Sequence, residues 1–319
     1  MAFGSLLFQR ISYFYLVFNF NQVNALKRID FLFLIYLVLS SVLLIFAWDP
    51  SVHSPVFIWI RALMLLFVFA LITLNNKLSN PVTELFRYSY PLLICGYFYS
   101  ETVYYNKLFF SNLDPFLADI ESAVFKMQPS LEFSSSLSNK LFSELMYFAY
   151  FSFYLLVLIF TLYVFLKRRE NFKRLTFQLS ASLYIFYSIF CFFPSEGPQF
   201  YFSFPENKLP DAFLFNHIMH FIQQMAEKPT GAFPSSHVGV SVIILMLSKK
   251  YAPRFFKTAW PVVALLILST VYIKAHYVVD VVGGIIIAPL VLFLSDFLFH
   301  LRWGVATKLT LTDQTNDKT

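Results

Sequence analysis

The 319-residue chain holds 42 Phe, 19 Tyr and 4 Trp, and only 13% of it is charged, about half of the roughly 25% usual in a soluble domain; a water-soluble single domain is excluded. Its net charge of +6 lies in short groups between apolar runs rather than on one face, which excludes nucleic acid as a partner and points to membrane topology. The two cysteines, Cys95 and Cys191, both lie in apolar stretches and exclude a disulfide scaffold or a zinc cage.

Residues 1–20, rich in Phe and Tyr, are expected to form an interfacial helix within a cytoplasmic segment 1–30. The strongly apolar run begins after Arg28 with no small-residue cleavage site behind it, unlike a cleavable signal. A bilayer core about 30 Å thick requires roughly 20 apolar helical residues, because unpaired backbone groups are not tolerated in hydrocarbon. That requirement predicts eight spans, near 31–48, 55–74, 88–105, 143–166, 175–193, 235–249, 259–274 and 278–299. The third is the weakest, interrupted by Glu101 and several tyrosines.

With the N-terminus cytoplasmic, eight spans put seventeen of the 24 Lys and Arg inside and seven outside. The positive-inside rule therefore favours this count with both termini cytoplasmic. A shift by one span would put Lys167, Arg168 and Arg169 outside. The segment 106–141 is then an outer, serine-containing stretch placed to cap the bundle, and 194–234 a second outer loop with six prolines. The polar tail 309–319 reads as disordered. The expected organisation is an N-terminal segment 1–30, N-terminal spans and outer loop over 31–142, a helical bundle over 143–302 and a cytoplasmic tail 303–319, with no internal repeat.

Polar groups at membrane depth are costly and so point to function. Two clusters stand out. Phe233-Pro234-Ser235-Ser236-His237 heads an apolar run and reads as a helix start, where unpaired N–H groups and the positive dipole end favour phosphate. The alternative is a serine N-cap beside an interfacial histidine. Lys274-Ala275-His276-Tyr277-Val278-Val279-Asp280 heads the last span. On a helix His276 and Asp280 would share a face, and a carboxylate on one imidazole nitrogen leaves the other free to attack; the alternative is a helix-start Asp beside a lipid-interface His. The topology brings both clusters to one membrane face, as a two-histidine phosphoryl transfer requires.

FPSSHVGVS and STVYIKAHYVVDVVGG resemble the second and third signature motifs of the type 2 phosphatidic acid phosphatase/haloperoxidase superfamily. The long N-terminal span region, the outer stretch before 141 and FPSEGPQ at 193–199 are more similar to its inositol phosphorylceramide synthase-like (inositolphosphotransferase) branch. The resemblance implies an all-α polytopic membrane bundle, a six-helix phosphatase-like core preceded by N-terminal helices. It also implies attack by His276 on phosphorus to give a phosphohistidine, orientation by Asp280, and His237 as acid and then base. Ser235, Ser236 and nearby N–H groups would hold phosphate oxygens.

The chain departs from the family pattern at several places. Thr270 stands where an Arg usually follows the serine corresponding to Ser269, with Lys274 one turn later as a candidate replacement or a snorkelling lysine. Glu196-Gly197-Pro198-Gln199 replaces the first motif's cations, leaving Gly197 and Gln199 as uncharged phosphate donors and Lys228 as another possible cation. His217 and His220 near Glu227 lack a third ligand at convincing spacing and read as an outer interfacial helix; His53 and His300 read as surface residues. Arg61 and Glu101 could pair if both lie within spans.

No metal or cofactor is implied. The expected substrate is a lipid phosphate ester, handled at the extracytoplasmic face of a plasma, inner or endomembrane. Water as acceptor makes a phosphatase and a lipid hydroxyl a phosphotransferase. The competing class is a non-enzymatic transporter, although the internal repeat and broken helices common in transporters are not visible.

Overall fold

The computed structural model describes residues 26–47 and 55–301. The expected interfacial helix at 1–20, His53 and the tail 303–319 lie outside the described residues.

The helices in chain order are α1 (Arg28–Phe46), α2 (Val56–Leu78), α3 (Pro81–Glu101), α4 (Asp114–Phe125), α5 (Pro129–Ser136), α6 (Lys140–Lys167), α7 (Phe172–Ile189), the single turn α8 (Pro198–Tyr201), α9 (Leu214–Ala226), α10 (Ser236–Tyr251), α11 (Pro253–Tyr272) and α12 (Val278–His300). The fold is an all-helical bundle, with no strand among the described residues. Five helices, α1, α2, α6, α11 and α12, are long and apolar enough to cross a membrane. The three other expected spans correspond to α3, α7 and α10, each helical but shorter or more polar.

Local chemistry sets several boundaries. Asn80 accepts from the Thr83 N–H (2.9 Å) with Pro81 in the first turn, so α3 begins seven residues before the expected span at 88. Asn139 caps α6 by accepting from Leu141 N–H (2.9 Å). Ser235 caps α10 by accepting from Val238 N–H (3.3 Å). At the start of α12, Asp280 reaches back to accept from the Tyr277 N–H (2.8 Å).

Charges buried among the N-terminal helices are paired, as the low dielectric demands. Arg61 of α2 makes a two-pronged bond to Glu101 of α3 (2.9 Å each), reinforced by Ser41 (2.6 Å) and Tyr97 (2.8 Å). Arg87 pairs with Asp30, which also accepts from Tyr90 (3.0 Å). This resolves why the third span reads weakly in sequence: Arg87 and Glu101 are bonded to α1 and α2 rather than exposed to lipid.

The main core joins α1, α2, α3, α6, α7, α10, α11 and α12, with Tyr36 stacked on Tyr184 at 4.3 Å and Phe186 buried. Gly239 is required where α10 meets α7, since a Cβ there would lie 2.1 Å from the Phe186 ring. At the end of the bundle where α11 stops and α12 starts, the stretch 106–141 folds into α4 and α5, which pack on α12 and α11 respectively, and α9 packs on α6.

Candidate active site

Three segments converge where the start of α10, the end of α11 and the start of α12 meet the loop 190–235. Backbone hydrogen bonds join them: Gln199 N–H to Lys274 C=O (2.8 Å), Ser235 N–H to Asp280 C=O (3.0 Å) and Ala232 N–H to Ser195 C=O (3.3 Å). The Ser195 hydroxyl also accepts from Phe233 N–H (2.6 Å). Gly197, at φ 91°, fits only because it has no Cβ, which would lie 2.7 Å from the Ala275 carbonyl oxygen.

This framework puts the two imidazoles edge to face, with ring centroids 5.7 Å apart. His276 is buried, and its Nδ1 lies 2.9 Å from the Ala232 carbonyl and 3.5 Å from Asp280 Oδ2. A carbonyl can only accept, so Nδ1 carries the proton and Nε2 is left with its lone pair. Asp280 is fully buried; its Oδ2 is shared with the Tyr277 N–H, and its Oδ1 has no hydrogen-bond partner among the described residues. His276 precedes α12 rather than sitting on it, so the pair meets across a capping turn and not along one helix face.

His237, in the first turn of α10, is flanked by Tyr150 (5.0 Å) and Phe153 (4.6 Å) of α6. Its Nε2 lies 3.4 Å from the Tyr150 hydroxyl, while Nδ1 is buried without a partner among the described residues.

The other residues singled out by sequence fall into two groups. Ser235 spends its hydroxyl on the N-cap, and Ser236 is buried in the first turn of α10. Gln199 gives its amide to Glu227 Oε2 (2.9 Å) and accepts from Gln223 (3.2 Å). The Gly197 N–H donates to Asp114 Oδ1 (2.8 Å), and the Glu196 N–H to Asp114 Oδ2 (2.6 Å). Lys274 directs its ammonium to the carbonyls of Glu206 and Lys208 (2.7 Å each), away from both imidazoles. The cause is local: α11 ends at Tyr272 and Lys274 adopts φ 62°, so it does not continue the helical face that carries Thr270. Burial lowers the Lys274 pKa. His217 is exposed on α9 and His220 faces Tyr147 (6.2 Å).

Three contributors escape the sequence reading, and a fourth, Glu227, enters it only beside His217 and His220. Glu227 is buried between Tyr150 and Gln199, and that burial raises its pKa against the pull of those donors and of His276. Asp114 and Glu121, seven apart on α4, dock on the two site segments. Asp114 holds the Glu196–Gly197 amides, and Glu121 Oε1 accepts from Val278 N–H (2.5 Å) and Val279 N–H (3.2 Å) at the start of α12. Burial raises the Asp114 pKa and pushes Glu121 to about 7. The spacing of two acids over two turns was a usable signal; Tyr150, lost in an aromatic run, offered none.

A family model for the PAP2 superfamily matches residues 117–294, more than half of the chain, and the chain belongs to that superfamily. No curated protein and no solved structure matches it.

Proposed function

We propose that this PAP2-superfamily protein transfers the phosphoryl group of a membrane lipid phosphate ester through a phosphohistidine on His276. Family membership supports a phosphatase-type activity on lipid phosphate. The observation that carries the finer reading is the approach of two imidazoles to 5.7 Å, His276 with its Nδ1 hydrogen-bonded and His237 with its Nδ1 unpartnered among the described residues.

In the first step the His276 Nε2 lone pair bonds to phosphorus as the P–O bond to the lipid breaks, and His237 gives a proton to the departing oxygen. In the second, an acceptor hydroxyl surrenders its proton to His237 and bonds to phosphorus as P–N breaks. The Ala232 carbonyl and Asp280 hold the Nδ1 proton and stabilise the cationic ring. Ser236 and the first-turn amides of α10 hold phosphate oxygens, with Ser235 shaping that turn. Gln199, Gly197 and Lys274 contribute by bracing the surrounding loops.

In this reading the site works at the extracytoplasmic face of an integral membrane protein with cytoplasmic termini, and the 143–302 bundle carries catalysis. The acceptor follows the inositolphosphotransferase-like branch, a lipid hydroxyl such as that of ceramide; water as acceptor would make it a lipid phosphate phosphatase. The test is incubation of purified protein with labelled phosphatidic acid, and separately with phosphatidylinositol plus ceramide. Release or transfer of label, inhibited by vanadate and lost in His276→Ala, is expected. Absence of turnover in both assays would favour a transporter.

A further inference from the structure

Around the imidazole pair, one buried carboxylate has no role in the chemistry described above. Glu227 follows α9 and has both oxygens fixed: Oε1 accepts from the Tyr150 hydroxyl (3.1 Å) and Oε2 from the Gln199 amide (2.9 Å), itself steadied by Gln223 (3.2 Å). Among the described residues no lysine or arginine pairs with it. The titratable groups around it are Tyr99 of α3, Tyr150 and Tyr154 of α6, and the two imidazoles. Of these, Tyr150 touches both the carboxylate and His237.

A tyrosine hydroxyl has a single proton. Tyr150 gives it to Glu227, so toward His237 Nε2, 3.4 Å away, it can only accept. The hydrogen on that side of the ring therefore belongs to Nε2, and Nδ1, buried and unpartnered, is the nitrogen left for a substrate oxygen. The arrangement repeats, through one intervening hydroxyl, the logic by which a carboxylate on one imidazole nitrogen frees the other for proton transfer.

We infer that Glu227 is a positioning residue for the proposed acid–base imidazole: through the Tyr150 hydroxyl it fixes His237 as the Nε2–H tautomer and stabilises its cationic form, leaving Nδ1 to exchange protons with the substrate. This rests on the phosphohistidine reading for its catalytic meaning, but the tautomer is a property of the resting protein. With the Lys274 ammonium committed to loop carbonyls, Glu227 and Tyr150 favour the protonated ring before the leaving oxygen departs.

The experiment has two readouts on full-length protein in detergent. The first is nitrogen-15 NMR of histidine-labelled protein, with the His237 signals assigned by their loss in His237→Asn. The Nε2–H tautomer is expected for the neutral ring, and Tyr150→Phe should convert part of it to Nδ1–H. A neutral ring carrying its proton on Nδ1 in the unsubstituted protein overturns the inference, whatever the lipid assays show. The second is the pH profile of kcat/KM with the lipid substrate that turns over. Glu227→Gln and Tyr150→Phe should each move the alkaline limb to lower pH by about one unit and lower kcat by about 10- to 100-fold, within the range for general acid–base catalysis. The double variant should be no worse than the poorer single one. Tyr150→Phe removes one oxygen only, so it decides the matter if Glu227→Gln does not fold. Profiles unchanged in folded variants, with His276→Ala inactive, overturn the inference while sparing the phosphohistidine reading; an active His276→Ala removes that reading instead.

Discussion

The contact between α10 and α12 is the place where a single methyl group should separate fold from catalysis. Gly284 lies one turn beyond Asp280, and a Cβ there would sit 2.6 Å from the Ser235 carbonyl oxygen and 3.3 Å from the Gly239 nitrogen. Ordinary contact begins at 3.4 Å, so Gly284→Ala must part the helices by about 0.8 Å, and the obstacle is backbone rather than a movable side chain. Overpacking of this kind costs about 1–3 kcal/mol. The displacement falls on the bond from Ser235 N–H to Asp280 C=O, which ties the two histidine segments together. A misplacement near 1 Å can cost about 100-fold in rate, so kcat should fall by about 10- to 100-fold while the protein stays folded. The comparison is Gly96→Ala in α3, where a Cβ meets nothing within 4 Å and the helix should gain up to about 1 kcal/mol. Thermal unfolding in detergent and lipid-phosphate turnover, measured side by side, check both. A Gly284→Ala protein with undiminished kcat would refute the claim that this crossing sets the imidazole geometry.

Other outcomes follow from named contacts. Glu121 titrates near 7 when folded and near 4.5 when unfolded, so the folded state retains its proton over that interval and stability falls as pH rises through it. Glu121→Gln should flatten that decline between pH 5 and 8 by about 1–2 kcal/mol after allowance for solvent screening, read from melting temperatures. Lys274→Met removes the ammonium that bridges Glu206 and Lys208; it should lower the melting temperature by several degrees and leave kcat within about threefold. A loss of turnover as deep as that of His276→Ala would instead put the ammonium on the phosphate. Arg61→Met alone strands Glu101, 1% exposed, and should destabilise by about 3–5 kcal/mol, whereas Arg61→Met with Glu101→Met should recover most of the loss.

The helical membrane class was legible in the apolar runs because backbone satisfaction in hydrocarbon leaves little choice of structure. The two histidine clusters were legible because ionisable residues in such runs are rare and their order along the chain puts them at one end of the bundle. The Arg61–Glu101 pair was likewise open to anticipation, two opposite charges each too costly to leave alone. Side-chain allegiance was another matter. Lys274 sits in the right interval of sequence, yet a left-handed turn swings it to two carbonyls. Gln199 and Gly197, read as phosphate donors, are engaged by Glu227 and Asp114 from segments distant in the chain.

By itself, then, the amino-acid order determined the solvent this protein lives in, its helical periodicity and the identity of its two imidazoles. Those properties depend on the composition and spacing of one segment at a time. Which nitrogen of each ring keeps its proton, and that Glu227, Tyr150, Asp114 and Glu121 surround the site, was decided only by tertiary packing. Hydrogen bonding falls away within a few tenths of an ångström, and such distances between residues dozens of positions apart exist only once the helices have docked.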